Sequence, residues 1–335
     1  MTQVLHPHAH AAPRSTSARR ADTLTVVVCA YTTERTADVA AALASLAGQT
    51  RRPDQVLLVV DHSPELLAWA RATVGEDVTV LPSTGPRGLS GARNTGVAAA
   101  TGDVVAFLDD DAAAEPDWAQ QLMAAFAEDD VIGVGGGVEP AWPALRPSWF
   151  PPEFLWVVGC SYTGLPTTRA QIRNPIGANM AFRRDVFTAV GGFDTGMGRL
   201  GKDAAGCEET EFSIRAGAVP GEGRIVLEPA ARVRHTVSTD RVARTYFRRR
   251  CLAEGRSKAL VSGLAGAGAA LSTERDYVRR TLPRGVLRGL GQTLRGDSSG
   301  AARAAMIVEG LGWTAAGYLS VRLRAALRPG RRASA

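Results

Sequence analysis

Carboxylate side chains follow two apolar segments whose length and composition are typical of buried strands. Asp109–Asp111 come directly after the segment 103–108, and Asp61 comes directly after 55–60. Adjacent carboxylates repel each other unless a cation neutralises them, and Mg²⁺ or Mn²⁺ takes such oxygen ligands together with substrate phosphates. The triplet therefore predicts a divalent-cation site. Asp61 is either an acceptor for a ribose or base hydrogen bond or the N-cap of a following helix.

Three further positions carry charge in places where chemistry is expected. Arg93 lies in Arg87–Asn94, a loop leading into a helix, which suits phosphate or nucleobase contact as well as a plain turn. Glu208 and Glu209 head a predicted helix, where one of them can act as a general base or both can simply complement the helix dipole. His235 ends a predicted strand and is either a metal ligand or a structural histidine.

Alternating strand and helix patterns must position these groups. β-branched apolar runs alternate with segments whose apolar residues recur every three to four positions. Such alternation predicts a right-handed βαβ sheet whose ligands bind at the carboxyl ends of the strands. The predicted strands are 24–29, 55–60, 78–81, 103–108, 225–227 and 231–235, and the main helix patterns are 37–46, 64–72, 93–100, 207–215 and 241–260.

The composition is that of a folded globular protein, with 45% hydrophobic and 21% charged residues among 335. Four cysteines without CxxC spacing argue against a zinc site or a disulfide framework and favour a reducing compartment. Residues 1–22 lack an apolar core, which indicates a disordered tail rather than a signal peptide. No membrane span is predicted, and the nearest candidate, 304–321, contains Glu309 and reads as a packed or interfacial helix.

Charge is divided unevenly along the chain. Residues 241–335 contain 19 Lys and Arg against 5 Asp and Glu, whereas the whole chain has a net charge of +6. This basic quarter predicts contact with phosphates on a membrane surface, a lipid carrier or a nucleic acid, or else a solvated or internally paired helical face. Because nucleic-acid motifs are missing, we favour an anionic lipid surface or a polyprenyl-phosphate acceptor and expect no nucleic acid.

In their order along the chain, these segments resemble family 2 glycosyltransferases of the GT-A fold over about residues 23–260. The matching segments are Thr25–Tyr31 with Glu34, Val59–Asp61, Gly88–Gly96, Gly102–Asp111, Pro116–Trp118, Gly177–Arg184, Gly191–Asp194 and Glu208–Glu209. The resemblance implies an α/β fold, a Rossmann-like sheet of mainly parallel strands flanked by helices. It places a GT-A domain at 23–240, divided into a nucleotide-binding half at 23–130 and an acceptor half at 131–240, before a basic helical extension at 241–335.

The resemblance also implies a reaction, the inverting transfer of a sugar from a nucleotide diphosphate to an acceptor hydroxyl or lipid phosphate. A UDP-sugar donor and Mn²⁺ or Mg²⁺ are expected. The implied nucleotide-sugar residues are Ala30, Tyr31, Glu34, Asp61, Arg93, Asp109 and Asp110, and the implied metal ligands are Asp111, Asp109 and His235. Gly177, Ala178 and Asn179 are implied to border the donor sugar and the acceptor. Glu209 is implied as the base beside Glu208, where the family commonly has Glu-Asp.

Other features of the sequence bear on the setting of the reaction. The Q-x-x-R-W signature of processive synthases is missing, so we expect a non-processive enzyme acting on a polysaccharide, small-molecule or polyprenyl-phosphate acceptor. We expect it in the cytoplasm, including the inner face of the cell membrane, where it would serve cell-envelope polysaccharide synthesis. The loop 198–206 is predicted to close over the donor.

Two other functions stay open on the residues alone. A nucleotidyltransferase would need a Gly-rich basic loop after the first strand, where the chain instead has Ala30–Arg35. A non-catalytic protein would use the basic C-terminal quarter to bind a membrane or a nucleic acid.

Overall fold

A computed structural model of the chain describes residues 21–196, 206–219, 223–265 and 275–327. The predicted tail at 1–22 lies almost entirely outside the described residues, and so does most of the predicted closing loop at 198–206. Both predictions stay untested.

The first half of the sheet is parallel, as the apolar runs predict. Its strands are β1 (Leu24–Ala30), β2 (Gln55–Val60), β3 (Val78–Pro82) and β4 (Val104–Asp109). They lie in the order β3-β2-β1-β4, joined by α1 (Thr36–Ala47), α2 (Pro64–Thr73) and α3 (Leu89–Ala99). Each strand agrees with its predicted bounds to within one residue.

The second half of the sheet is mixed. Its strands are β5 (Ala112–Ala114), β6 (Val131–Ala141), β7 (Ala170–Gln171), β8 (Asn179–Arg183) and β9 (Arg224–Thr236). β8 pairs antiparallel with β4 and β6, while β9 pairs parallel with β6 and antiparallel with β5 and β7. The α/β class is confirmed, although antiparallel pairs are as numerous as parallel ones among the described strands. The two short strands predicted at 225–227 and 231–235 form one strand with a register shift.

Helices cover both faces of the sheet, which explains why β1 is apolar at successive positions. Val26 and Val28 pack into one hydrophobic cluster, whereas Val27 between them packs into the other. Helices α1, α2 and α4 (Trp118–Ala125) contribute to the first cluster. Helices α3, α5 (Arg184–Val190) and α6 (Glu208–Gly217) contribute to the second. A strand buried on both faces needs a continuous apolar run rather than an alternating one.

Three helices form the C-terminal part of the described chain. They are α7 (Arg244–Ala265), α8 (Leu282–Leu294) and α9 (Ser299–Ala326). Phe247 of α7 is fully buried and lies 5.6 Å from Phe150 and 5.3 Å from Phe154 between ring centroids. The helices thus share the core of the sheet. Of the helices in the described ranges, none combines the length and apolar character needed to cross a membrane.

Helix α9 packs closely against α7 and α8, with glycines instead of larger side chains at the points of contact. A Cβ atom on Gly289 of α8 would lie 2.6 Å from the carbonyl oxygen of Gly300, and one on Gly300 would lie 2.3 Å from that of Gly289. On the α7 side, a Cβ on Gly255 or Gly317 would lie 2.0 or 2.1 Å from a backbone oxygen of the facing helix. These four glycines hold the three helices backbone to backbone.

Candidate active site

The carboxyl ends of β2 and β4 bring Asp61 and Asp109 to the same edge of the sheet. Both strands pair in register with β1, which lies between them. Asp61 is buried, and its Oδ2 accepts a hydrogen bond from the backbone N–H of Gly88 at 2.9 Å. Ser63 caps α2, so the N-cap alternative for Asp61 is wrong.

Arg93 joins this edge to the helix that carries the predicted base. The side chain is 2% exposed, and its guanidinium donates to Glu208 Oε1 at 2.9 Å and to the Gly177 carbonyl at 3.1 Å. It also lies 3.5 Å from Asp109. Burial alone would lower the pKa of Arg93, but Glu208 and Asp109 raise it above its ordinary value. The site therefore holds a permanent, immobilised positive charge.

A set of three ligands fits a divalent cation. One atom each from Asp109, Asp111 and His235 lies within 4.8 Å of the other two. The register of β5 with β9 causes this juxtaposition, because Ala112 pairs with His235. Two carboxylate oxygens and an imidazole nitrogen suit Mn²⁺ or Mg²⁺ and leave room for substrate phosphates. The structure brings together the three predicted metal ligands.

The pKa values of Asp111 and His235 both depart strongly from their ordinary values. Burial would raise the pKa of Asp111, but His235 and the cations Arg35 and Arg241 hold it well below its ordinary value. Burial would lower the pKa of His235, but the Asp111 carboxylate 3.1 Å away raises it to about 10. Cys160 Sγ lies 3.9 Å from the other ring nitrogen. A divalent cation would compete with the His235 proton, so its binding should strengthen as pH rises.

Asp110 occupies a different environment from its two neighbours. Its Oδ1 accepts a hydrogen bond from Arg35 at 2.8 Å, whereas its buried Oδ2 has no protein partner among the described residues. Burial and the charge of Asp111 raise the pKa of Asp110 to about 7, although Arg35 acts in the opposite direction. An orphaned buried oxygen beside a metal ligand set is available to a hydroxyl donor of a ligand.

The two glutamates that begin α6 have separate environments. Cys207, with a left-handed φ of 79°, precedes them. Glu208 is buried and held by Arg93, and its Oε2 has no partner among the described residues. Glu209 is half-buried, and its carboxylate accepts a hydrogen bond from the Thr210 hydroxyl at 3.5 Å and one from its own backbone N–H. Burial and the charge of Glu208 raise the pKa of Glu209 to about 7. Glu209 thus has the proton affinity of a general base near neutral pH.

A cleft of about 1030 Å³ lies in front of Glu209. Arg93, Asp109, Gly177, Glu209 and His235 line it. Residues of α7, of the π-helical segment Tyr277–Thr281, of α8 and of α9 complete the lining, and Val278, Leu311 and Leu319 are among its apolar members. The volume exceeds that of a single sugar, so an acceptor and part of its carrier have room beside a donor sugar.

The remaining predicted nucleotide residues lie away from this cleft. Ala30 is buried at the end of β1, Tyr31 is partly exposed with the Arg35 guanidinium 5.6 Å from its ring centroid, and Glu34 is exposed in the turn that follows. None of these, nor Asp61, lines the cleft. Arg93 and Asp109 are the predicted nucleotide-sugar residues that border it. The nucleotide contacts of Tyr31 and Glu34 stay predictions.

The segment Gly177–Asn179 divides between the cleft and the core. Gly177 and Ala178 line the cleft, as the donor or acceptor contact requires. Asn179 is fully buried. Its side-chain oxygen accepts a hydrogen bond from the Trp118 indole N–H, and its side-chain nitrogen donates to the carbonyls of Gly137 and Ala231. Its side chain therefore supports β8 beneath the site and has no free group for the sugar.

Sequence analysis missed two cations at the triplet. Arg35 lies 3.0 Å and Arg241 3.7 Å from Oδ2 of Asp111. Arg35 follows β1 closely and had a weak signal, a basic residue at a strand end. Arg241 comes 130 positions after Asp111 in the sequence, and only the tertiary fold reveals their contact.

Comparison with known proteins agrees with this geometry. The profile described as Glycosyl transferase family 2 matches residues 25–191. A glucosyl-dolichyl phosphate glucuronosyltransferase of Haloferax volcanii is 39% identical over 215 residues, which cover 63% of this chain and 68% of that protein.

Two solved structures share the fold. A mannosyltransferase from Pyrobaculum calidifontis, in complex with GDP-Man and Mn²⁺, superposes with a TM-score of 0.55 at 18% identity, over 88% of this chain and 86% of that one. GalNAc-T7 with UDP, GalNAc and Mn²⁺ gives 0.51 at 18% identity, over 70% of this chain and 48% of that one. The family match decides against the nucleotidyltransferase and the purely binding protein. The chain belongs to glycosyl transferase family 2 and is a glycosyltransferase of the GT-A fold.

Proposed function

We propose that this glycosyltransferase moves a sugar from a UDP-sugar, with inversion at the anomeric carbon, to a hydroxyl of a sugar carried on a lipid phosphate. The observation that supports this most is the position of Glu209. Its carboxylate lines the cleft with Arg93 and Asp109, and its pKa is raised to about 7. A base of that strength is suited to a hydroxyl acceptor, because a bare phosphate oxygen is already ionised near neutral pH.

The residues of the site divide the reaction between them. Glu209 takes the proton of the acceptor hydroxyl as its oxygen attacks the anomeric carbon from the face opposite the nucleotide. Arg93 is fixed by Glu208 and Gly177 and offers its charge to the departing diphosphate. Attack opposite the leaving group requires a base on the acceptor side of the donor sugar, and the cleft provides that space.

A divalent cation, Mn²⁺ or Mg²⁺, would be held by Asp109, Asp111 and His235. When bound, it supplies positive charge that neutralises the diphosphate leaving group. The chain's own contribution is the rigid arrangement of these ligands, with Arg35 and Arg241 limiting the free negative charge of Asp111.

Two observations support a lipid-linked acceptor. The Haloferax volcanii relative is named for action on glucosyl-dolichyl phosphate. The cleft that Glu209 lines also contains apolar side chains such as Val278, Leu311 and Leu319, which suit contact with a lipid chain. We further propose that the enzyme works at the inner face of the cell membrane in the synthesis of cell-envelope polysaccharide.

The test is a transfer assay with a short-chain, water-soluble prenyl-phosphate sugar as acceptor. UDP-sugars and GDP-mannose are each supplied with Mn²⁺, Mg²⁺ or EDTA, and bare prenyl phosphate is the comparison acceptor. We expect transfer from one UDP-sugar, loss of transfer in EDTA, and no product on the bare phosphate. NMR of the product should show the anomeric configuration opposite to that of the donor.

Each part of the proposal can fail separately in this assay. Retention of configuration would overturn the single attack assisted by Glu209. Efficient transfer to bare prenyl phosphate would overturn the hydroxyl acceptor, and transfer only from GDP-mannose would overturn the UDP donor. Full activity in EDTA with metal-free protein would overturn the role of the cation.

A further inference from the structure

Helix α8 has a buried face and an apolar exposed face. Leu282, Gly285 and Gly289 are buried, and the two glycines face α9 and the sheet domain. On the opposite side, Leu287, Leu290 and Leu294 are 69%, 48% and 90% exposed. Spacings of three and four residues put these leucines on one stripe of the helix. A stripe of three large exposed side chains differs from a single exposed leucine, which needs no explanation.

Arginines border this stripe. Arg284 and Arg295 are exposed and lie beside the leucines on the helical surface, and no acidic partner contacts either one within the described ranges. Arg288 lies between them and forms an ion pair with the buried Glu153, which anchors α8 to the sheet domain. The helix thus presents leucines flanked by two uncompensated positive charges.

Helix α9 also exposes large apolar side chains. Val308, Leu319 and Leu323 are all more than half exposed, at spacings that keep them on one side of the helix. Arg322 and Arg324 are exposed on either side of Leu323. We call Leu287, Leu290, Leu294, Leu319 and Leu323 together the leucine face.

The leucine face and the active-site cleft adjoin. Leu319 belongs to both, and Arg284, which borders the stripe of α8, also lines the cleft. The leucine face therefore meets the cleft at these two residues.

We propose that the leucine face docks on the surface of a bilayer that contains anionic phospholipids, with its leucines among the acyl chains and its arginines at the headgroups. A basic amphipathic helix that lies in the membrane plane has this arrangement of side chains. Charge complementarity favours a bilayer, because Arg284 and Arg295 contact no acidic side chain among the residues that the structure describes and residues 241–335 carry 19 basic against 5 acidic residues. The purpose of docking rests on the proposed lipid-linked acceptor, but the surface itself does not.

The test is flotation of the full chain with vesicles of phosphatidylglycerol and phosphatidylcholine, compared with phosphatidylcholine alone. We expect flotation with the anionic vesicles that weakens as salt is raised. The triple variant Leu287→Ser, Leu290→Ser, Leu294→Ser should partition at least about tenfold less. The double variant Arg284→Gln, Arg295→Gln should lose the preference for anionic vesicles.

Leu145→Ser is the matched control, since Leu145 is 93% exposed in the loop that follows β6 and is not part of the leucine face. It should float like the parent chain. All replaced side chains are exposed, and equal melting temperatures should verify that the variants fold. Parent protein that fails to float, or a triple variant that floats as well as Leu145→Ser, would overturn the proposal.

Activity separates this proposal from the proposed function. The triple variant should keep its transfer rate on the water-soluble acceptor and lose rate on a long-chain acceptor presented in vesicles. Loss of flotation with both rates unchanged would overturn docking as the route to the acceptor. A parent chain that floats but transfers no sugar to either acceptor would leave the docking surface intact and overturn the proposed function.

Discussion

The edge of the sheet and the C-terminal helices both line one cleft, but they present different kinds of surface to it. At the sheet edge, Asp111 and Arg93 each contact three charged or polar groups, and both side chains are nearly inaccessible to solvent. On the helical side, Leu319 lines the cleft although it is more than half exposed, and outside the cleft Leu287 and Leu294 of α8 are exposed as well. At the sheet edge, the charged side chains are already held in place for small charged ligands. The surface of the C-terminal helices is suited to a large apolar ligand that needs no exact fit.

Among the replacements at the charged part of the cleft, that of Glu209 should lower kcat most. Glu209→Gln keeps the shape of the side chain but removes the base, so kcat should fall about 10²- to 10⁴-fold. Nucleotide binding, measured by calorimetry, should change little because Glu209 acts on the acceptor, not on the nucleotide, in the proposed reaction. Glu209→Asp restores the residue that the family commonly has and should recover part of the rate. An unchanged kcat in Glu209→Gln would remove Glu209 from the reaction.

Replacement of Asp111 tests the prearranged charge cluster. Asp111→Asn should lower kcat about 10²- to 10³-fold, because both the cation and the orientation of His235 depend on this carboxylate. The rise in melting temperature caused by Mn²⁺ in the parent should disappear. Asp130→Asn changes an exposed carboxylate paired with Arg224 and is the control. A Mn²⁺ response in Asp111→Asn equal to that of the control would contradict the assignment.

A single methyl group at Gly177 tests how rigidly Arg93 is held. A Cβ at Gly177 would lie 3.0 Å from an Arg93 nitrogen, which cannot yield easily because Glu208 and Asp109 hold it. Gly177→Ala should therefore displace the guanidinium and lower kcat/KM about ten- to a hundredfold. Gly75→Ala, where a Cβ meets nothing within 4 Å, is the matched control. Equal kcat/KM for both variants would mean that the Arg93 guanidinium can shift without loss of activity.

The pH profile gives the smallest and most specific effect. Because the Glu209 pKa is raised to about 7, the base form prevails above that pH, and kcat should fall as pH drops through it. Glu208→Gln removes the neighbouring negative charge and frees Arg93 to act on Glu209, and both changes lower the Glu209 pKa. The acid limb should move down by about one pH unit. If the acid limb stays at the same pH in Glu208→Gln, the group that titrates there is not Glu209.

The parallel half of the fold and its carboxylates could be predicted because their signals are local. A strand buried on both faces is continuously apolar, and a polar residue that ends it marks the ligand edge, as Asp61 and Asp109 do. The mixed half carries weaker signals: β8 has five residues, and its antiparallel pairing depends on partners from distant segments.

The rest of the site depends on contacts that sequence spacing does not encode. The cations around Asp111 come from a turn after β1 and from the segment before α7. Asn179 resembles a sugar-binding amide in its motif, but tertiary contacts occupy all of its hydrogen-bonding groups. The apolar part of the cleft lining includes Leu311 and Leu319 of α9, and the helical pattern of the sequence does not reveal that they share a cleft with Glu209.

The four glycines between the C-terminal helices bear on how this enzyme can change over evolutionary time. At Gly255, Gly289, Gly300 and Gly317 even one added methyl group would collide with backbone, so these positions admit almost no replacement. The exposed leucines have the opposite freedom, since any apolar side chain would serve there. Variation in acceptor preference among related enzymes should therefore accumulate on the outer surface of the helices, while the small residues between them stay constant and preserve the shape of the wall.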